Sequence, residues 1–297
     1  MLLKHASSTT PTAKRRYVVQ ILLSVLALLI VGYGGASWYL WANQRELIFS
    51  PSREVQRTPA DLHLKYEDVR LPVGRNNPTI LHGWWLQSDD AAAPALLYLH
   101  GNDLNIGGSV EAAARLRRMG FSVLIVDYRG YGKSGGGFPS EAQVYEDAET
   151  AWNYLIQDRR TDPGKTFIYG HSLGGAIAID LAVRHPEAAG LIVESTFTSM
   201  RELAKIAYWI FPTDWLLDQR FDALAKVTML RVPVLFIHGR ADTEIPYTMS
   251  ERLFMATRGY KWLTLIPGGG HEDSASVGGT LYTRAVLDFT QHNRHDR

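Results

Sequence analysis

Cysteine is absent from this 297-residue chain, which excludes disulfides, thiolate metal sites and a cysteine nucleophile together. Charge of one sign is also lacking. Thirty-one Lys and Arg face thirty Asp and Glu, a formal net charge of +1. With no basic stripe or aromatic-interleaved basic run, nucleic acid is excluded as an expected partner. Internal repeats and low-complexity tracts are missing, and so is the H-E-x-x-H pattern of a helical zinc site. No cofactor and no metal is therefore expected. What remains is 46% hydrophobic and 21% charged, the make-up of a globular chain with a large core.

Charge is missing in one further place. Between Arg16 and Arg45 no Asp, Glu, Lys, Arg or His interrupts a run that includes Tyr17-Val-Val-Gln-Ile-Leu-Leu-Ser-Val-Leu-Ala-Leu-Leu-Ile-Val-Gly-Tyr33. As a helix this crosses a bilayer core of about 30 Å. Tyr17 at one end and Trp38, Tyr39 and Trp41 at the other suit interfacial aromatic belts. The expected organisation is a tail over 1–16, a transmembrane anchor over 17–42 and a globular body over 43–297. Lys14, Arg15 and Arg16 abut the run, so positive-inside logic puts the N-terminus in the cytoplasm and the body on the periplasmic or lumenal face. The alternative is a signal peptide cleaved near Gly34-Gly-Ala36, which would release the body as a secreted protein.

The body alternates between strand and helix. Tyr66–Val73 and Thr79–Leu86 flank the turn-prone Gly74-Arg-Asn-Asn-Pro78 and read as an antiparallel pair. Buried-type runs follow at Ala95–Leu99, Phe121–Val126, Thr166–Tyr169, Gly190–Val193, Val234–Ile237 and Trp262–Ile266. Helical stretches lie between them at 110–119, 141–156, 175–184 and 248–257, and 281–292 closes the chain. Near-continuous apolar strands alternating with helices predict an α/β fold: a mostly parallel eight-stranded sheet with helices on both faces. Reactive groups then belong at the carboxyl ends of strands.

Gly170-His-Ser-Leu-Gly174 sits at such an end and matches G-x-S-x-G, the strained strand-to-helix turn that exposes a serine nucleophile. Serine needs a base, and the base needs an orienting acid. His271, in Pro267-Gly-Gly-Gly-His271, follows the last strand and is the candidate base. Asp242, in His238-Gly-Arg-Ala-Asp242, is the candidate acid, with a helix- or turn-capping role as its bland alternative and Glu194 as a rival carboxylate. An oxyanion hole needs two backbone N–H groups. Leu173 supplies one, and the loop after Ala95–Leu99 supplies the other, assigned to Asn102 with Asp103 as the neighbouring choice. His100, His171 and His238 read as packed, structural histidines. Gly130-Tyr-Gly-Lys-Ser134 imitates the end of a P-loop, but Asp127 stands where glycine is required; it reads as a loop at the site's rim.

These motifs resemble the α/β-hydrolase superfamily and, within it, the membrane-anchored bud-emergence-type group. The likeness rests on Arg45-Glu-Leu-Ile-Phe-Ser-Pro51, His100-Gly-Asn102, Asp127-Tyr-Arg-Gly-Tyr-Gly-Lys-Ser134, Gly170–Gly175, Glu194–Ser199 and the Asp242 and His271 segments. It implies a serine hydrolase with Ser172, His271 and Asp242 as a catalytic triad. Esterase, thioesterase and serine-aminopeptidase-like activities all fit the resemblance. Two departures are His171, where arginine is frequent, and Asp103, where a small residue is usual and a negative charge would adjoin the oxyanion hole.

A short cap is expected over about 200–226. Its Ile206, Tyr208, Trp209, Trp215 and Leu216 either pack on the body or line an apolar acyl pocket. The second choice, beside an anchor, favours a lipid or other acyl ester or thioester as substrate. Two other possibilities stay open: a non-catalytic membrane scaffold or receptor on the same fold, and a cofactor-free perhydrolase.

Overall fold

The structure is a computed structural model that describes residues 11–74 and 78–295. Residues 1–10 of the expected tail and the centre of the turn at 75–77 lie outside the described residues. The chain divides into two compact units, with the boundary between Gln44 and Arg45.

The first unit is dominated by helix α1 (Pro11–Ala42). Its stretch Lys14–Ala42 has a mean hydropathy of 2.2 over its most apolar window and buries none of it in protein. At about 1.5 Å per residue it is long enough to cross a bilayer core of about 30 Å. A signal sequence meets the same criteria.

The second unit starts with α2 (Gln44–Ile48), which straddles the boundary, and β1 (Ser50–Pro51). The strands that follow are β2 (Glu67–Val73), β3 (Thr79–Leu86), β4 (Ala95–Leu99), β5 (Asp103–Leu104) and β6 (Ser122–Val126). The second half contributes β7 (Thr166–His171), β8 (Gly190–Glu194), β9 (Val234–Gly239) and β10 (Lys261–Ile266). Eight of them form one sheet in the order β10-β9-β8-β7-β4-β6-β3-β2. β2 and β3 are antiparallel additions, and every other pairing in the sheet is parallel.

Both faces of this sheet are covered, and the strand residues sort between them with period two. Leu97, Leu124, Ile168, Leu191 and Phe236 point into one apolar layer, shared with α4 (Glu141–Asn153), α5 (Leu173–Arg184), α8 (Ala223–Val227) and α9 (Thr248–Ala256). Leu96, Val123, Phe167, Ile192 and Leu235 point into the other, shared with α3 (Val110–Arg118) and α10 (Ser274–His295). A strand buried on two faces has no polar side, which is why these runs read as continuous apolar sequence.

Helix ends differ from expectation where local chemistry intervenes. α5 begins at Leu173, two residues early, because the turn hands directly into it. α4 gives way at Asn153 to a π turn over Tyr154–Asp158. The closing helix begins at Ser274 rather than 281 and carries a break at Gly279, whose φ of 46° is non-helical. The cap contains α6 (Met200–Ala207) and α7 (Thr213–Leu216) and rejoins the body at α8.

The chain runs outward from β4 in both directions, to β6 on one side and through β7, β8, β9 and β10 on the other. Crevices in open α/β sheets form at the carboxyl ends beside such a switch point. Two glycines keep this one tight. A Cβ on Gly174 would lie 2.0 Å from the Leu99 carbonyl oxygen, and one on Gly170 2.2 Å from that of Gly174. Gly174→Ala is therefore expected to lower stability by roughly 3 kcal/mol or more, a fall in Tm of at least roughly 6 °C. Gly259→Ala, where an added Cβ meets nothing within 4 Å, is expected to leave Tm within about 2 °C of the parent. Thermal unfolding followed by circular dichroism of both variants checks the pair.

Candidate active site

Between β7 and α5 the chain turns on Ser172, whose φ of 54° and ψ of −122° are strained for a residue with a Cβ. Three hydrogen bonds hold it there. The Ser172 N–H donates to the Glu194 carbonyl at 2.9 Å, and the Ser172 carbonyl accepts from the Gly175 N–H at 2.9 Å and from Thr196 Oγ1 at 2.7 Å. The turn places Ser172 at the carboxyl end of β7, beside the switch point, where the residue is buried.

His271 reaches it from the loop after β10. Its Nε2 lies 2.9 Å from Ser172 Oγ, and its Nδ1 lies 2.8 Å from Asp242 Oδ2. Asp242 sits in the loop after β9, with its side chain fully out of solvent. Oδ1 accepts the N–H groups of Glu244 and Ile245 at 2.9 and 2.8 Å, while Oδ2 also faces His238 Nε2 at 3.1 Å. His238 Nδ1 lies 2.7 Å from Ser250 Oγ, and its Nε2 is also 2.9 Å from the Ile245 carbonyl. That set of partners assigns the His238 proton to Nε2 and leaves Nδ1 as acceptor. Asp242 thus meets two imidazoles and two backbone donors.

The electrostatics follow from these contacts. Burial pushes the Asp242 carboxyl up, but donors from His238, His271 and Ile245 outweigh it and hold the group well below the usual carboxylate range. Burial pulls the His271 imidazole down, yet its hydrogen bond to Asp242 and the charges of Asp242, Glu244 and Glu272 leave it above the ordinary histidine value. An ionised Asp242 beside a His271 ready to accept a proton is the arrangement general-base catalysis requires.

The loop after β4 completes the site. A Cβ on Gly101 would lie 3.3 Å from Ser172 Cβ, so this loop runs directly alongside the serine. Among the described residues, no protein acceptor takes the N–H of Asn102 or of Leu173. The loop is fastened from behind: Tyr131 Oη donates to the Asn102 carbonyl at 2.7 Å, and the Ser50 N–H donates to the same oxygen at 3.1 Å. Asp103 is exposed and belongs to β5, in parallel register with Ser50 of β1. The segment Gly130–Ser134 adjoins that loop. Its Tyr131 and Ser134 are buried, and it braces the loop after β4.

The remaining candidates fall elsewhere. Glu194 does not approach His271: it is buried, and its carboxylate accepts from Tyr169 Oη and lies 3.4 Å from Tyr282 Oη. His100 is buried against the Tyr128 ring, with Nδ1 2.8 Å from the Gly101 carbonyl, and burial holds its pKa below the ordinary histidine value. His171 Nε2 lies 3.1 Å from the His271 carbonyl, so the variable residue of the turn ties down the loop that carries His271. His171, His271 and Glu272 bring three possible metal-donor atoms within 4.8 Å of one another. Both nitrogens of His271 already face Asp242 and Ser172, which leaves it no free donor for a metal. His238 is packed as expected, and it also holds Asp242, which no motif announces. Its only signal was the spacing of four residues to Asp242 at a strand end.

Sheet order, strand-end loops and the Ser172 turn together define an α/β-hydrolase fold. The esterase Pf2001 of Pyrococcus furiosus has this fold as well, with a TM-score of 0.66 at 20% identity over 82% of this chain and 98% of that one. A family model described as serine aminopeptidase, S33, matches residues 90–222, a span that holds Asn102 and Ser172 and ends before Asp242. The uncharacterized protein Rv2307c of Mycobacterium tuberculosis is 33% identical over 90% of this chain and 94% of its own length. Protein bem46 of Schizosaccharomyces pombe is 31% identical over 91% and 92%. The chain belongs to the bud-emergence-type group of α/β-hydrolases, a family of the serine-hydrolase class.

The His271 imidazole is expected to titrate above 6.5, the ordinary value. Asp242→Asn removes the largest charge that favours the imidazolium, so the midpoint should move down. Imidazole nitrogen shifts followed by NMR across pH check both the position and the sign; an unmoved midpoint would mean that Asp242 does not set it.

Proposed function

We propose that this protein is a membrane-anchored serine hydrolase that cleaves carboxylic ester or thioester bonds of acyl substrates through an acyl-enzyme. The observation that carries the reading is the unbroken relay Asp242–His271–Ser172 beside two uncommitted backbone N–H groups.

In the first half-reaction Ser172 Oγ attacks the acyl carbonyl carbon while His271 Nε2 takes the hydroxyl proton. Asp242 holds the imidazole in the tautomer with hydrogen on Nδ1 and stabilises the imidazolium that forms. The carbonyl oxygen becomes an oxyanion and accepts from Leu173 N–H and Asn102 N–H, each worth about 3–4 kcal/mol in related sites. Collapse breaks the bond to the leaving alcohol or thiol, which takes the proton from His271. Water then repeats the sequence on the acyl-Ser172 ester and returns the acid and free enzyme. Each step needs only protons carried by the protein and the water consumed.

α1 would serve as the anchor, with Lys14–Arg16 on the cytoplasmic side and the body beyond the membrane. A C-terminal fusion to a reporter active only outside the cytoplasm tests that orientation, and activity confined to a cytoplasmic reporter would reverse it. Peptidase-like cleavage is a second reading, favoured by the serine aminopeptidase description of the matching family model. Comparing kcat/KM for p-nitrophenyl esters and amino-acid p-nitroanilides separates the two.

Ser172→Ala should lose fluorophosphonate labelling and reduce ester turnover by about 10⁴-fold or more, with an unchanged circular dichroism spectrum. A folded alanine variant that still turns over ester would remove Ser172 from the mechanism.

A further inference from the structure

The cap carries a surface that neither its own packing nor the relay explains. Trp215 is 89% exposed, Trp209 81%, Ile206 57% and Tyr208 38%. All four fall within ten residues at the end of α6, the turn after it and α7. That knuckle is a built structure. Lys205 Nζ pairs with Asp214 Oδ2 at 2.7 Å, the Trp215 N–H donates to the Pro212 carbonyl at 2.9 Å, and the Met200 N–H donates to the Arg220 carbonyl at 2.9 Å. The aromatic side chains therefore stand outward while the backbone beneath them is tied down.

Two tryptophans and a tyrosine beside isoleucine have the composition of a membrane interface, where an amphipathic ring keeps its polar end at the headgroups and its body among the acyl chains. The chain also holds a segment, Lys14–Ala42, long and apolar enough to span a bilayer, and the body begins at Arg45. The cap leaves the sheet at the carboxyl end of β8, the same end of the sheet at which Ser172 and Asp242 lie.

We propose that Ile206, Tyr208, Trp209 and Trp215 dock the cap into the headgroup region of the bilayer that α1 spans. The proposal rests on α1 being a membrane anchor and is independent of the hydrolytic chemistry. Docking there gives an acyl chain a route from the membrane to the end of the sheet that bears Ser172 without crossing bulk water.

The absence of cysteine makes a direct test simple, because one introduced thiol takes one label. The full-length chain is reconstituted in phosphatidylcholine–phosphatidylglycerol vesicles as three variants, Trp215→Cys, Tyr260→Cys and Leu28→Cys, each carrying an environment-sensitive NBD fluorophore. Tyr260 is an exposed residue at the amino end of β10, away from the cap, and Leu28 lies in the middle of α1. The proposal predicts blue-shifted emission that doxyl-lipids quench at positions 215 and 28, and water-like emission that iodide quenches at 260. Lipid quenching at 28 with iodide quenching at 215 overturns the docking while leaving the anchor intact. Shielding of 215 from both quenchers assigns the patch to a protein partner or second copy and also overturns it. Loss of lipid quenching at 28 removes the anchor, and the proposal with it.

Discussion

At Gly174 the first turn of α5 passes so near the end of β4 that the Leu99 and His100 carbonyl oxygens would lie 2.0 and 2.5 Å from an added Cβ. No side chain other than hydrogen fits. That approach brings the loop after β4 and the start of α5 together, with Gly101 directly alongside Ser172. It also forces Ser172 to make the whole change of direction by itself, at a backbone conformation that costs on the order of 1–3 kcal/mol. The surrounding sheet offsets that cost through the Glu194 carbonyl, which accepts the Ser172 N–H, and the Thr196 hydroxyl, which donates to the Ser172 carbonyl.

Charge is managed by the same economy of close contacts. Burying an isolated carboxylate is strongly unfavourable, and Asp242 has no exposed side-chain surface. Four donors at 2.8–3.1 Å reverse the balance, so the group is ionised and fixed in orientation. His238 is the unexpected member. It shares an oxygen with His271 and is itself anchored by Ser250, which gives Asp242 a rigid back wall. His171 does the corresponding work on the other side by bonding the His271 carbonyl. Both are positioning residues, since neither faces Ser172 Oγ.

The parallel sheet was readable because its strands are buried on both faces, which leaves long apolar words such as Ala95–Leu99 and Val234–Ile237. Ser172, Asp242 and His271 could be picked out for a related reason: each follows such a strand, and the structure brings their side chains into one chain of hydrogen bonds. β1 and β5 could not be read, because two-residue strands have no period. Their pairing is what draws Asp103 into an exposed strand, where the sequence suggested a charge beside the oxyanion hole. The brace from Tyr131 to the Asn102 carbonyl joins residues 29 positions apart and leaves no local pattern. The cap posed a different problem. Apolar residues at helical spacing look the same whether they face a core or solvent, and Trp209 and Trp215 proved to face outward.

In the proposed reaction Ser172 Oγ carries the acyl group between the two half-reactions. Acid quenching during turnover of a p-nitrophenyl ester, followed by peptide mass spectrometry, tests this most directly. An acyl adduct is expected on the peptide that contains Ser172, appearing before steady state and accumulating further in a variant with slowed deacylation. Steady hydrolysis with no adduct there, or with an adduct on another side chain, would contradict it.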